Sequence, residues 1–146
     1  MQTPCAAKSA NTLGLIRADA EAVFRERSDT PGKFRMLLSL LFNPGFKAVL
    51  HYRLANECLR HRGLRLIGSY FSYRARVKYA IEISPSAKMG RSFQGIHGVG
   101  VVIGCSCVIG DNCVLYHGVT IGARAVAWMT SIRLSKTELS YLPVPR

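Results

Sequence analysis

Five side chains able to bind a metal or move a proton fall within a short stretch: His97, Cys105, Cys107, Cys113 and His117. Thiolate and imidazole are the usual zinc donors, so a metal site is the first reading to weigh. The spacing C-x-C-x5-C is not that of a structural zinc site, whose paired cysteines have two to four residues between them. No metal is therefore expected. The glycine string GVGVVIG at 98–104 would bind a dinucleotide only within a strand–turn–helix unit, and no such pattern surrounds it. His97 is different. An imidazole near its free pKa can accept a proton at neutral pH, and this one lies in RSFQGIHGVG, residues 91–100.

The elements that must position His97 have an unusual period. Ile103, Ile109, Leu115 and Ile121 fall six apart, and Gly104, Gly110 and Gly122 follow three of them. Four residues after each of the first three comes a small side chain: Cys107, Cys113 and Val119. Ile83 and Met89 repeat the spacing, with Ala87 in the small slot. Six fits neither a helix nor a flat strand. It fits a coil that turns a corner every six residues with its apolar residues inside, a left-handed parallel β-helix. Cys107 and Cys113 then become stacked core thiols. The phase slips by two residues between Met89 and Ile103, so the segment holding His97 must bulge from the coil. Such a bulge is a natural place for function.

Upstream the pattern is helical. Residues 11–30 carry Leu15, Ile16, Ala22 and Val23 behind an N-cap-like Asn11-Thr12. Residues 33–80 read as two or three helices with two apolar stripes. One is Phe34, Leu37, Leu38 and Leu41; the other is Val49, Leu50, Leu54 and Leu59. Gly45 and Gly63 punctuate them, and MLLSLLFNPGF reads as a buried helix end at Pro44-Gly45. The fold class is α+β: an N-terminal helical region at 1–80, a short β-helix at 81–122 and an irregular tail at 123–146.

The segment IEISPSAKMGRSFQGIHGVGVVIGCSCVIGDNCVLYHGVTIG resembles the serine O-acetyltransferase family of hexapeptide-repeat acyltransferases. The upstream IRADAEAVFRERSDTPGKF and FNPGFKAVLHYRLANECLRHRG resemble that family's helical region. The resemblance implies acetyl transfer from acetyl-CoA to a hydroxyl, that of L-serine, as in cysteine biosynthesis. It implies that His97 is the general base and that Glu82, fifteen residues earlier, orients it. Well-known members carry aspartate where this chain has Glu82. YHGVTIG matches the edge along which the family lays the pantetheine arm, making Gly118, Thr120, Ile121 and Gly122 candidates for binding acetyl-CoA. His117 reads as an exposed corner. The acceptor pocket departs from the family pattern, because Ile96 stands where an aspartate precedes the base. The family's second acceptor aspartate, in an RDP-like turn, falls near RERSDTP, where Ser28 or Asp29 would substitute. Ile96 favours the alternative of a sugar or polysaccharide O-acetyltransferase; an inactive fragment is a third.

The six-residue beat stops after Gly122, whereas the family continues with an Arg-His-Pro loop and further coils. Trp128 and Met129 have single codons, and starting from the last base of the tryptophan codon gives GAT GAC, hence Asp-Asp. Synonymous choices downstream then give DDEYPTIEDGVVIFAGAR, in which the beat resumes. The tail is thus expected to be the same gene read out of frame, leaving a truncated and impaired chain. Full-length relatives are expected as homotrimers or pairs of trimers.

Net charge is +12, from 20 basic and 8 acidic residues, much of it in LRHRGLRLIGSYFSYRARVKY. This reads as a solvated helix face, a surface for an anionic partner or membrane, or an attraction for polyanionic coenzyme A. No nucleic-acid motif accompanies the charge, so no nucleic-acid partner is expected. No apolar run is long enough to span a bilayer. No secretory signal is read at the N-terminus, which favours the cytoplasm and reduced cysteines.

Overall fold

The computed structural model describes residues 11–25, 38, 40–122 and 133–134. Among the described residues, the helices α1 (Thr12–Arg25), α2 (Pro44–Arg60) and α3 (Arg65–Tyr79) precede a ladder of short strands. Then come β1 (Ile81–Ile83), β2 (Lys88–Met89), β3 (Gln94–Gly95), β4 (Val101–Ile103), β5 (Val108–Ile109), β6 (Val114–Leu115), β7 (Thr120–Ile121) and β8 (Arg133–Leu134).

All strand pairs are parallel and every third strand stacks: β1–β4–β7, β2–β5–β8 and β3–β6. This is the three-sided coil that the six-residue beat demands. Ile81, Ile83, Met89, Ile103, Ile109, Leu115 and Ile121 fill its interior, with Ala87, Phe93, Cys107 and Cys113 in the slots between. Both expected core thiols are buried, at 2% exposure each. Burial pushes the Cys107 thiol up and the Cys113 thiol up to about 11. The corners use left-handed backbone: Ser92, Gly100, Ser106, Asn112 and Gly118 all have positive φ. From Gly100 onward these corners recur every six residues.

β8 pairs Arg133 with Val108 and Leu134 with Ile109, so one short strand interrupts the tail expected to be irregular. The rest of 123–146 lies outside the described residues.

The helices close the first coil. Tyr52 of α2 donates its hydroxyl to the Ala87 carbonyl at 2.7 Å, and Asn56 donates its amide to Pro85 at 2.7 Å. Arg53 donates to the Met89 and Gly90 carbonyls. Here the apolar stripes need correction. The buried face of α2 is Gly45, Ala48, Val49, Tyr52, Arg53 and Ala55, while Leu50, Leu54 and Leu59 are half-buried. The coil's corners present backbone carbonyls, and a partner helix must offer donors there. Leu38 and Leu41 of the first stripe are exposed, and Phe34 and Leu37 lie outside the described residues. Pro44-Gly45 starts a helix rather than ending a buried one. Asn43 caps it, accepting the Phe46 amide at 3.0 Å, with Pro44 in the first turn, where its missing N–H costs nothing. Phe42, just before, is 80% exposed.

Candidate active site

The register locates the slip in the beat. Pairs within sheets β1–β4, β2–β5 and β3–β6 are offset by twenty residues, as in Ile83 with Ile103 and Gly95 with Leu115. From β4 to β7 the offset is eighteen, as in Ile103 with Ile121. The two additional residues therefore sit between β3 and β4, within Ile96–Gly100. The segment 91–95, which the sequence placed in the same bulge, keeps the regular beat: Phe93 is 3% exposed in a core slot.

His97 occupies this insertion, exposed, with φ of 49°. Left-handed backbone is shared with the ordinary corners at Ser92, Ser106 and Asn112; what sets His97 apart is its place in the two-residue insertion. A tight set of backbone bonds fixes the loop. Ile96 N–H donates to Leu115 O at 2.8 Å, Val99 N–H to His97 O at 2.7 Å and Gly100 N–H to Ala80 O at 2.8 Å. Gly98 packs on Ile81, so closely that a Cβ would overlap that side chain.

The same loop touches the YHGVTIG edge. Gly118 N–H donates to Val99 O at 3.0 Å, and Val102 N–H donates to Val119 O at 2.9 Å. Gly118 has φ of 71°, and nothing lies within 4 Å of where its Cβ would be, so open space faces the backbone there. Thr120 is exposed on the outer face, one coil along from Val102, which pairs in turn with Glu82. Glu82, Val102 and Thr120 thus form one outward ladder beside the His97 loop. Ile121 points into the core at 2% exposure, and its carbonyl already accepts Gly104 N–H and the Cys107 thiol. Nothing lies within 4 Å of a Cβ at Gly122. His117 is exposed, as a corner residue should be.

The Glu82 carboxylate, half exposed, lies 3.6 Å from Arg76 Nη1 of α3. Ile96 is half-buried at the mouth of the insertion, and Asp29 lies outside the described residues. One positioning group escaped the sequence reading. Asp19 of α1, 1% exposed, accepts the Phe93 amide at 2.9 Å, while Gln94 donates its side-chain amide to Ala22 O. α1 therefore grips the strand that leads into the insertion. Its signal was an acidic residue amid the apolar positions of an amphipathic helix, with Arg53 the only buried cation among the described residues to match it.

A three-sided coil of parallel strands on a six-residue beat, joined to helices and carrying a histidine on the inserted loop between β3 and β4, is the hexapeptide-repeat architecture. No family model matches the chain. A serine acetyltransferase of Helicobacter pylori is 43% identical over 102 residues, 70% of this chain and 57% of that protein. One of Synechococcus elongatus is 37% identical over 107 residues, 73% of this chain and 42% of that protein. A soybean serine acetyltransferase, solved in complex with serine, superposes with a TM-score of 0.70 at 29% identity, covering 84% of this chain and 49% of that one. That of Neisseria gonorrhoeae gives 0.68 at 26% identity, covering 81% and 44%. Over about 70% of its length the chain is similar to serine acetyltransferases, and it spans about half the length of the relatives it matches.

Proposed function

We propose that the chain carries the base-bearing half of a serine O-acetyltransferase site, with acetyl-CoA as donor and L-serine as acceptor. The observation that carries this is the two-residue insertion, which bears exposed His97 and touches the edge at Gly118 through Val99. His97 takes the proton of the serine hydroxyl as the oxygen attacks the thioester carbonyl. The tetrahedral intermediate then collapses: the C–S bond breaks, a C–O bond remains, and the coenzyme A thiolate takes the proton from the imidazolium. Such base catalysis contributes about 10²–10⁴-fold. Glu82, on the neighbouring outer face, orients the imidazole and stabilises its cation, released from Arg76 for that role. The open edge along Gly118, Thr120 and Gly122, beside Ile121, receives the pantetheine arm. Asp29 and the wall at Ile96 border the acceptor. The serine complexes among the similar structures favour L-serine over a sugar acceptor. The accompanying assembly is a homotrimer or a pair of trimers, located in the cytoplasm.

The test is thiol release from acetyl-CoA with and without L-serine. It is run on this chain and on a version restored to the alternative reading frame after Gly122. Serine-dependent release is expected to be strong in the restored version and weak at most in this chain. His97→Ala is expected to lower it by about 10²-fold or more. Full activity in His97→Ala, or no serine-dependent release from either chain, would overturn the assignment.

A further inference from the structure

Among the described residues, α3 is covered on one side alone. Its buried residues are Gly68 and Ala75, and Gly68 lets it approach the Ala55 carbonyl of α2 closely. At 3.6 residues per turn, Leu66, Tyr70, Tyr73 and Val77 fall opposite that face, spaced i, i+4, i+7 and i+11. They are 85%, 56%, 54% and 65% exposed. A helix that turns large apolar side chains outward in register has a second partner to meet.

We propose that this outer face docks on an anionic lipid surface. Charge selects the occupant. Residues 60–79 contain Arg60, Arg62, Arg65, Arg74, Arg76 and Lys78 and no aspartate or glutamate. By helical position, Arg76 borders one edge of the apolar stripe, and Arg74 and Lys78 border the other. A second copy docking by the same face would set Arg74 and Lys78, and Arg76 where Glu82 does not offset it, against their own kind, and like charges across an interface oppose association. A nucleic acid would pair with the cations but offers nothing to Leu66 and Val77 between them. A bilayer with acidic headgroups satisfies both. The apolar stripe enters the boundary between headgroup and acyl chain, and the tyrosine rings lie at headgroup level. The arginine and lysine stems let their charged ends reach lipid phosphates beside the sunken stripe. Arg74 already lies over the Tyr70 ring, 6.0 Å from its centroid, so cation and ring are presented together. No helix among the described residues is long and apolar enough to cross a membrane, so α3 lies along the surface.

The test is flotation of the full chain with phosphatidylcholine vesicles containing phosphatidylglycerol, beside pure phosphatidylcholine vesicles. The protein is expected to float with the first and not the second, and to be released by high salt. Two exposed-position variants, Leu66→Ser/Tyr70→Ser/Val77→Ser and Arg74→Gln/Lys78→Gln, are each expected to lower the bound fraction about tenfold. Circular dichroism should show unchanged helix content. No flotation with either vesicle would overturn the proposal. Binding indifferent to the apolar substitutions would overturn it in favour of a charge-only polyanion site. Dissociation of an oligomer by those substitutions, without vesicle binding, would show a second copy to be the occupant.

Discussion

The Asp19 carboxylate and the Arg53 guanidinium, 34 positions apart in sequence, meet at 2.9 Å with almost no exposure to solvent. Each keeps a second set of partners on the coil: Asp19 holds the Phe93 amide, and Arg53 holds the Met89 and Gly90 carbonyls. One ion pair thereby fastens α1 and α2 to the corner that leads into the His97 loop. Removing one partner strands a buried charge. Asp19→Ala is expected to cost about 3–5 kcal/mol in urea unfolding, whereas Asp19→Leu/Arg53→Met together should cost less than Asp19→Ala alone. Equal or greater loss in the double variant would mean that the carbonyl contacts of Arg53, not its charge, carry the stability.

Gly45 tests the seam between α2 and β3. A Cβ there would run into the Gly95 carbonyl, which belongs to backbone and has little room to yield. Gly45→Ala gains helix propensity, about 1 kcal/mol in a helix interior. Overpacking should outweigh this and leave a net loss of about 1–3 kcal/mol. A raised melting temperature would show that the seam is looser than its geometry.

Gly118 separates backbone strain from ligand contact. Its positive φ disfavours a side chain by about 1–2 kcal/mol, with no steric neighbour to add to the effect. Gly118→Ala is expected to lower stability by that amount, and Gly118→Asn by less, since Asn112 holds the equivalent corner. If the pantetheine arm runs along this edge, the alanine variant of the frame-restored enzyme raises KM for acetyl-CoA more than it alters kcat. An unchanged KM would move the donor elsewhere.

The thiols report on the coil's interior. Cys105 is exposed while Cys107 and Cys113 are buried, so iodoacetamide should label Cys105 in the native protein and reach the other two only on unfolding. Mass spectrometry of the alkylated peptides checks this. Cys113 also sets a pH dependence. Its folded-state pKa, about 11, lies above the ordinary thiol value of 9.0, so the folded state resists forming the thiolate. Its contribution to stability is complete below about pH 9 and is lost as pH rises toward 11. Cys113→Ala should flatten the alkaline limb of the stability curve, and an unaltered limb would assign that loss to other groups.

The sequence by itself determined the coil, because a six-residue beat admits few other ways of burying Ile103, Ile109, Leu115 and Ile121 together. It also put the thiols of Cys107 and Cys113 inside and found a two-residue slip near His97. Local periodicity carries such information, since each inward position repeats the same environment. The tertiary structure decided what depended on distant partners. It narrowed the slip to Ile96–Gly100 through strand register, and it set that loop against Gly118. It turned α2's buried face from leucines to Tyr52 and Arg53, because carbonyls at coil corners, some 35 residues away, needed donors. It left Leu66, Tyr70, Tyr73 and Val77 outward, because the closest approach of α3 to α2 used Gly68. A pattern of apolar residues shows that a face will be covered; only the fold shows by what.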